Sequence, residues 1–411
     1  MANSFTTEQK VANAFLLLLK NALVMGKLVT TKFDKEFTNS EVAVGDTVKV
    51  RRPPEYTVRD GRVASAQDVI VGSADVTIDK QKGVDISFTS KEETLSVDEL
   101  LKDENLKAQA SVLAQQIDED LIAQTLKFPN WVGTPGQTVS TAAKFFAGPQ
   151  RMDELAIPQE GRAAVLSPSD YWALAATFTG LNASDGTVKT ALEKAKLPML
   201  GNCQPYMTQN VVNLTVGTRT ASGAATINGA DQNVAYADVK STYKQSLLLK
   251  TLTAGHTIKA GEIFTIAGVN AVNPRSKADL GYLQQFVVLA DATADGSGLA
   301  TVSISNPIII SGAYKTCTAA PANGAAVTFL GTASTAYRQN AVFHKGAIAL
   351  VGAKLVTPSV GKVAFATDPE TGISIRYWKT SDGTNDTHLN RCDVLYGTAC
   401  LDPRLGVRLS G

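Results

Sequence analysis

The sequence predicts an α+β protein in which a β-rich module interrupts a framework of helices and strands. Three features support this fold class: a helical repeat at 103–127, strand-like alternation between 42 and 88, and a change of composition at 216–337. A chain of 411 residues is long enough for two or three modules of ordinary size. We therefore expect several packed units rather than one continuous core.

The first apolar stretch, residues 11–26, predicts an amphipathic helix that begins near residue 6 or 7 and ends near Gly26. Lys20 interrupts the stretch too early for a signal peptide or a membrane-spanning segment. One side of the helix carries four large apolar residues: Phe15, Leu16, Leu19 and Leu23. This side either packs on its own chain or contacts another chain.

Residues 42–88 alternate between apolar and polar side chains, as half-buried strands do. Strands are predicted at 48–52, 56–59, 76–79 and 84–88, with turns at 60–61 and 82–83. An isolated two-stranded ribbon is marginally stable in water. We therefore expect this long excursion to pack on a partner surface.

The helix predicted at 103–127 has apolar residues at steps of three or four and an acidic opposite face. Ser96 and Glu99 have the spacing of a capping box ahead of it. Further along the chain, we expect a strand and a helix at 163–172, with Ser167 or Ser169 as the cap. Further predictions are a short helix at 188–195, a helix at 340–350 and a hairpin turn at 368–372.

The module at 216–337 differs from its flanks in composition, because only 14 of residues 211–330 are charged. Strands are predicted at 257–269, 285–289, 299–304 and 327–330, separated by Gly, Asn and Asp turns. Their spacing suits a small barrel. Framework patterns resume after the module, so it is expected to be an insertion.

The composition excludes several function classes. The chain has 39 Lys and Arg against 38 Asp and Glu, which argues against a dedicated nucleic-acid binder. The four cysteines and three histidines lie in no metal-ligand or disulfide-framework spacing. Neither a nucleophile elbow nor a phosphate-binding loop is present. We therefore expect no catalytic, cofactor-binding or metal site, and no enzyme activity.

Collinear segments along nearly the whole chain resemble a known family. They include GDTVKVRRP at 45–53, GVDISFTS at 83–90, FHKGAIAL at 343–350 and LDPRLGVR at 401–408. In these segments the sequence resembles the major capsid (coat) protein of P-22-type short-tailed phages. The segment AGEIFTIAGV at 260–269 is similar to a strand pair of that family's insertion domain.

The resemblance implies an HK97-like phage capsid fold with an inserted β-barrel-like domain. The expected parts are an N-terminal arm at 1–40, an extended β loop at 41–95, a peripheral domain at 96–150 and 356–388, an axial domain at 151–215, 338–355 and 389–411, and the inserted domain at 216–337.

The function implied is that of a major capsid protein that self-assembles into the icosahedral head enclosing the double-stranded DNA of a tailed phage. Implied partners are other copies of the chain in hexamers and pentamers, a scaffolding protein, a portal and DNA bound non-specifically, with no membrane. The implied location is the virion, after synthesis in the host bacterial cytoplasm. The alternative is a decoration or tail protein with a β binding module.

Two sets of residues are candidates for contacts between subunits. The loop residues 51–62 carry a net charge of +2, and residues 84–120 carry −7. We expect the loop arginines to meet the acidic residues of a neighbour, or else only to keep the ribbon soluble. These charged candidates are Arg51, Arg52, Arg59, Arg62, Glu92, Glu93, Asp98 and Glu99. The apolar side of the first helix, Phe15, Leu16, Leu19 and Leu23, is the candidate arm contact.

Overall fold

The computed structural model of the chain describes residues 7–31, 47–59, 61–64, 66–89, 103–177, 197–219 and 225–411. In these ranges the α-helices are α1 (Thr7–Ala22), α2 (Asp103–Ala123), α3 (Ala142–Glu154), α4 (Pro168–Ala176) and α5 (Tyr236–Val239). Short 3-10 turns lie at Met25–Lys27, Gln124–Lys127, Lys345–Ala347 and Pro403–Leu405.

The strands follow in chain order. They are β1 (Thr47–Arg51), β2 (Ser73–Thr77), β3 (Lys80–Thr89), β4 (Asn130–Val132), β5 (Arg162–Leu166), β6 (Cys203–Met207), β7 (Asn213–Thr215), β8 (Thr226–Ile227), β9 (Lys244–Lys250), β10 (Thr257–Ile258), β11 (Ile263–Val272), β12 (Asp279–Val288), β13 (Ala292–Thr293), β14 (Ala300–Ser305), β15 (Val327–Phe329), β16 (Ala336–Arg338), β17 (Asn340–His344), β18 (Ile348–Ala353), β19 (Lys362–Thr367), β20 (Ser374–Asp382), β21 (Thr387–Cys400) and β22 (Gly406–Leu409).

The first of two compact units comprises Met1–Lys49, Asp75–Leu121 and Ile348–Ala399. Its sheet has the strand order β18-β21-β20-β19, and β3 also pairs with β21. The hairpin β19–β20 confirms the turn predicted at 368–372. Helix α1 packs on β19 and β20 through small residues, because Ala12 meets Ala364 and Ala366 there.

The second unit comprises Val50–Ala74, Ile122–Ala347 and Cys400–Gly411. One of its sheets has the order β4-β22-β17-β5-β6. Side chains of α3 and α4, such as Phe145 and Leu174, share a core with Val342 of β17. The predicted strand and helix at 163–172 are confirmed as β5 and α4. Ser167 is the cap of α4, since its side chain accepts a hydrogen bond from the Asp170 N–H.

The inserted module is a closed β-barrel. Six strands run in the order β15-β11-β12-β14-β9-β8, and a bridge between Thr226 and Ala326 joins the two ends of this order. The Val327 N–H donates to the Ala225 carbonyl at 2.9 Å across the same seam. The barrel encloses its own apolar core, in which Phe264 packs against Phe286 and Phe329. The barrel predicted from strand spacing is therefore confirmed.

The chain enters and leaves the barrel through a neck formed by the paired strands β7 and β16, with Thr215 opposite Ala336. At the neck, the buried side chain of Glu262 binds the segment that enters the barrel. Its carboxylate accepts from the Gly217 N–H at 2.8 Å and lies 3.0 Å from Nε of Arg219. The Arg219 guanidinium donates in turn to the Leu330 carbonyl at 2.8 Å. Burial raises the pKa of Glu262, so the backbone N–H groups and Arg219 are needed to stabilise its charge.

Three local predictions are wrong. Residues 340–350 form strands β17 and β18 instead of a helix. A short apolar run that is buried on both faces lacks the periodicity that distinguishes a strand from a helix. Residues 56–59 form no strand, since Pro53 and Pro54 lack the N–H groups that a ladder needs. Gly83 lies inside β3 and not at a turn: a Cβ there would stand 2.4 Å from the Asp393 carboxylate. The predicted helix at 188–195 and capping box at 96–99 lie outside the described residues.

Candidate functional site

The extended loop has two limbs, residues 50–59 (the first limb) and 66–74 (the second limb). They pair as strands β1 and β2, and in the described residues between Arg51 and Ser73 single hydrogen bonds replace the ladder. At the base, the Arg52 N–H donates to the Gly72 carbonyl at 2.8 Å. Further out, the Gln67 side-chain amide takes the place of a strand partner. Its oxygen accepts from the Thr57 N–H at 2.9 Å, and its nitrogen donates to the Thr57 carbonyl at 2.6 Å. Side-chain hydrogen bonds therefore continue the pairing that the two prolines interrupt.

The described part of the loop around and beyond these bonds is exposed and rich in apolar residues. Val58 is 96% exposed, Val63 is 85% exposed, and Tyr56 and Val69 are more than half exposed. Several large apolar residues exposed together on one segment mark a surface for contact with another protein. We call Tyr56, Val58, Val63 and Val69 the apolar tip.

The four loop arginines do not share one environment. Arg51 and Arg62 are exposed, and Arg59 is exposed while donating to the Gly61 and Val63 carbonyls. Arg52 is buried: its Nε donates to the Leu401 carbonyl at 3.0 Å, and its guanidinium lies 4.9 Å from the Tyr243 ring centroid. Within the chain, Arg52 holds the base of the loop. Contacts of all four with a neighbouring subunit remain a prediction.

Glu55 is a loop residue that the sequence did not single out. Its carboxylate lies 2.6 Å from the Arg404 guanidinium and 2.8 Å from Nζ of Lys277. Arg404 also pairs with Asp402 at 2.9 Å. These partners are more than 200 positions away in the sequence, so charge patterning along the chain gave no signal for them.

The acidic partners predicted for the loop, Glu92, Glu93, Asp98 and Glu99, lie outside the described residues. Farther along the same acidic stretch, α2 uses two of its carboxylates inside the first unit. Asp118 is buried, and Asp120 lies 2.9 Å from Nζ of Lys80 and accepts from the Tyr396 hydroxyl at 2.6 Å. Glu119 is exposed.

The N-terminal helix is confirmed as α1. Phe15, Leu19 and Leu23 are buried within the first unit, and Leu16 is half-buried beside Ala364 and Ala366. Leu17, which the sequence did not single out, is 61% exposed on the same helix. The contact of α1 with a neighbouring subunit remains a prediction. Leu17 is the large apolar residue of α1 that is exposed and available for such a contact.

The described residues hold no group of three or more His, Cys, Asp or Glu side chains placed to bind a metal ion. Within the described residues, no α-helix has the length and apolar character needed to cross a membrane. The features that the described chain does present for function are surfaces: the apolar tip, the exposed arginines and the outer side of α1.

An α+β framework that carries a closed inserted barrel and a long loop with an exposed apolar tip indicates a structural subunit that contacts other protein chains. The chain belongs to the P22 coat protein family (P22 coat protein, gene protein 5), whose sequence model matches residues 1–411.

Individual relatives are similar over different lengths. The major capsid protein of Acyrthosiphon pisum secondary endosymbiont phage 1 is 25% identical over 438 aligned residues, which cover all of both chains. A solved structure from Mycobacterium phage Che8 is 11% identical, covers 99% of this chain and 93% of its own, and has a TM-score of 0.46. The CUS-3 coat protein I-domain is 27% identical over 28% of this chain and all of its own, with a TM-score of 0.21.

Family membership confirms the predicted function, a structural major capsid protein of a bacteriophage. The strand order of the structure confirms the predicted α+β class with an inserted barrel. It supports this function over a decoration or tail protein. The chain is a self-assembling component of the virion.

Proposed function

We propose that this chain forms hexamers and pentamers of an icosahedral head that encloses the double-stranded DNA of a tailed phage. The observation that carries the proposal is the apolar tip, a set of exposed side chains at the end of a loop that is well anchored at its base. Fully burying one valine side chain contributes about 1.5 kcal/mol or more to association. The same contact repeated at each subunit gives a shell its stability.

The remaining partners follow from charge and from the family. A net charge of +1 keeps the shell from binding phosphates strongly, since each phosphate neutralised by Lys or Arg adds affinity. DNA is therefore held by enclosure, with non-specific contacts. We propose a scaffolding protein and a portal as assembly partners, synthesis in the host bacterial cytoplasm, and a structural rather than a catalytic role.

The proposed division of the chain is the one expected from the sequence: arm 1–40, extended loop 41–95, peripheral domain 96–150 with 356–388, axial domain 151–215 with 338–355 and 389–411, and insertion 216–337. The neck supports the last of these, because its paired strands flank the barrel on both sides. The arm role of α1 rests on the exposed Leu17.

The experiment is expression of the chain together with the other head proteins of its phage, followed by electron microscopy. We expect closed shells from the wild-type chain and few or none from Val58→Asp, which places a charge in the apolar contact. Val58→Thr keeps the shape of the side chain and serves as the matched control. A wild-type chain that stays monomeric under all assembly conditions contradicts the proposed function.

A further inference from the structure

A single hydroxyl group of the inserted module joins the two limbs of the extended loop. Tyr314 lies between strands β14 and β15, and its Oη accepts a hydrogen bond from the Glu55 N–H at 3.1 Å. The same hydroxyl donates to the Ile70 carbonyl at 2.7 Å. Glu55 and Ile70 belong to opposite limbs, so this one side chain fixes the separation of the limbs above their base.

The Tyr314 ring is itself held firmly. It stacks on Tyr236 of α5 with 3.5 Å between ring centroids and 8° between ring planes. The pair belongs to an apolar cluster with Val239 and Tyr243, against which Ile70 packs. The hydroxyl therefore has a fixed position, and the loop limb that it binds packs on the same aromatic surface.

The second limb approaches this surface so closely that only glycine fits. A Cβ on Gly72 would lie 2.4 Å from both the Lys240 carbonyl oxygen and the Tyr236 hydroxyl. The next residue, Ser73, donates its N–H to the same Lys240 carbonyl at 3.1 Å. The Lys240 backbone and the Tyr236 hydroxyl leave no room for a side chain here.

The first limb is held by its charged residues Glu55 and Arg52. Glu55 contacts Lys277 of the module at 2.8 Å, and the Arg52 and Arg404 guanidinium groups lie 4.9 Å and 5.4 Å from the centroid of the Tyr243 ring. Both limbs are thus bound to the inserted module by independent contacts: hydrogen bonds, a close backbone approach, a cation–π contact and an ion pair.

We propose that the inserted module supports the extended loop and fixes the direction in which the apolar tip leaves the chain. The residues of the module that do this, which we call the clamp, are Tyr236, Tyr243, Tyr314 and Lys277. This inference rests on the proposed function, in which the tip contacts a second copy of the chain. A tip that is already oriented loses less conformational freedom when the neighbour binds, and it admits fewer wrong geometries. The clamp residues are positioning residues, since they act on the contact through the loop.

The first test is hydrogen exchange on the full-length, unassembled chain. Tyr314→Phe keeps the ring stack and removes both hydrogen bonds of the hydroxyl. We expect the loop amides at 55–59 and 66–72 to exchange about tenfold faster, because each of the two lost bonds contributes modestly to protection. Amides of β11 and β12 should be unchanged, which shows that the barrel is intact. Tyr206→Phe, on the edge strand β6, is the matched control.

The second test uses the close approach. Gly72→Ala should release the second limb and raise the exchange of 66–72 by at least as much as Tyr314→Phe does. Gly296→Ala, where a Cβ would meet nothing within 4 Å, should leave the loop unchanged. Loop exchange that stays at the wild-type rate in both Tyr314→Phe and Gly72→Ala overturns the proposal.

The assembly readout separates the clamp from the proposed function. With a wild-type chain that forms closed shells, Tyr314→Phe should shift the products toward open sheets, spirals or tubes, because the tip meets its neighbour at variable angles. Closed shells of normal size from both clamp variants would contradict the positioning role even if loop exchange rises. Absence of shells from the wild-type chain would overturn the proposed function, while loop exchange still decides whether the module holds the loop.

Discussion

The guanidinium of Arg408 donates a hydrogen bond to the Gly261 carbonyl at 2.6 Å, deep inside the second unit. The same group donates to the Gln339 side chain at 3.2 Å and to the Leu126 carbonyl. Arg408 is fully buried, and no carboxylate pairs with it in the described part of the chain. Neutral oxygens alone stabilise its charge, and burial lowers its pKa to about 9. It remains charged at neutral pH and joins three separate segments of the chain.

Replacing Arg408 should therefore destabilise the subunit strongly. Arg408→Met leaves the Gly261 and Leu126 carbonyls buried without a donor, which should cost about 3 kcal/mol or more of unfolding free energy. Arg408→Lys should recover only part of this loss, because one ammonium group does not span all three acceptors. Urea unfolding of the unassembled chain measures both variants. A loss below 1 kcal/mol in Arg408→Met contradicts a structural role for this junction.

Asp118 should make stability depend on pH. Its carboxylate accepts from the N–H groups of Val24, Met25 and Gly26 at 2.7 to 3.2 Å, at the turn that follows α1. Burial raises its pKa to about 6, and the hydrogen bonds offset this only in part. The folded chain therefore binds a proton more tightly than the unfolded chain between about pH 4 and pH 6. The contribution of Asp118 to stability falls as pH rises through this window and is constant above it.

The measurement compares wild type with Asp118→Asn, which has nothing to titrate at this position. The difference in unfolding free energy should shift by roughly 2 kcal/mol in favour of the variant between pH 4 and pH 7, since one pKa unit corresponds to about 1.4 kcal/mol. Other carboxylates cancel in the difference. A difference that does not vary with pH would show that Asp118 titrates normally.

The insertion 216–337 should fold when expressed alone. Its core is enclosed by its own strands, and the Arg219–Glu262 pair lies wholly inside the fragment. We expect a soluble fragment with the dispersed amide NMR spectrum of a folded β protein.

In the same fragment, Glu262→Ala leaves Arg219 buried without its anion, so we expect the free energy of unfolding to fall by about 3–5 kcal/mol. A random-coil spectrum from the unmutated fragment contradicts autonomous folding.

Charge reversal tests the predicted pairing of loop and helix between subunits. Arg59→Glu with Arg62→Glu should impair assembly, more so at low salt, where exposed charges interact most strongly. Adding Glu92→Lys and Glu93→Lys should partly restore it. One exposed pair contributes only about 0–1 kcal/mol, so the effect should appear in shell assembly and not in subunit stability. Arg275→Glu, at an exposed position of the inserted module, is the control.

The arm role of α1 has a test that leaves the core intact. Deleting residues 1–26 would also remove the buried Phe15, Leu19 and Leu23, so a surface variant is more informative. Leu17→Glu should lower the yield of shells while changing subunit stability by less than about 0.5 kcal/mol. Asn13→Glu, exposed on the same helix, should assemble normally. Equal yields from the two variants would argue that α1 serves only its own chain.

Much of this fold can be predicted from sequence periodicity within single elements. Most of the contacts that hold the extended loop cannot. Helix α2 and the barrel strands have clear periods over many residues, so their type was predictable. Strands β17 and β18 were mistaken for a helix because burial on both faces removes the alternation. The bond from Tyr314 to Ile70 joins positions 244 apart, and no spacing rule reaches that far.

The neck explains how an insertion of this size is compatible with the surrounding fold. Strands β7 and β16 are hydrogen-bonded neighbours, so the points where the barrel begins and ends are separated by about 5 Å, the spacing of adjacent strands. A two-residue turn would join those points if the barrel were absent. A single recombination event could therefore introduce the whole module into an ancestral gene without displacing either flanking segment. Natural variation in the barrel, and engineered exchange of one barrel for another, should be tolerated at this position more readily than at any point inside the surrounding sheets.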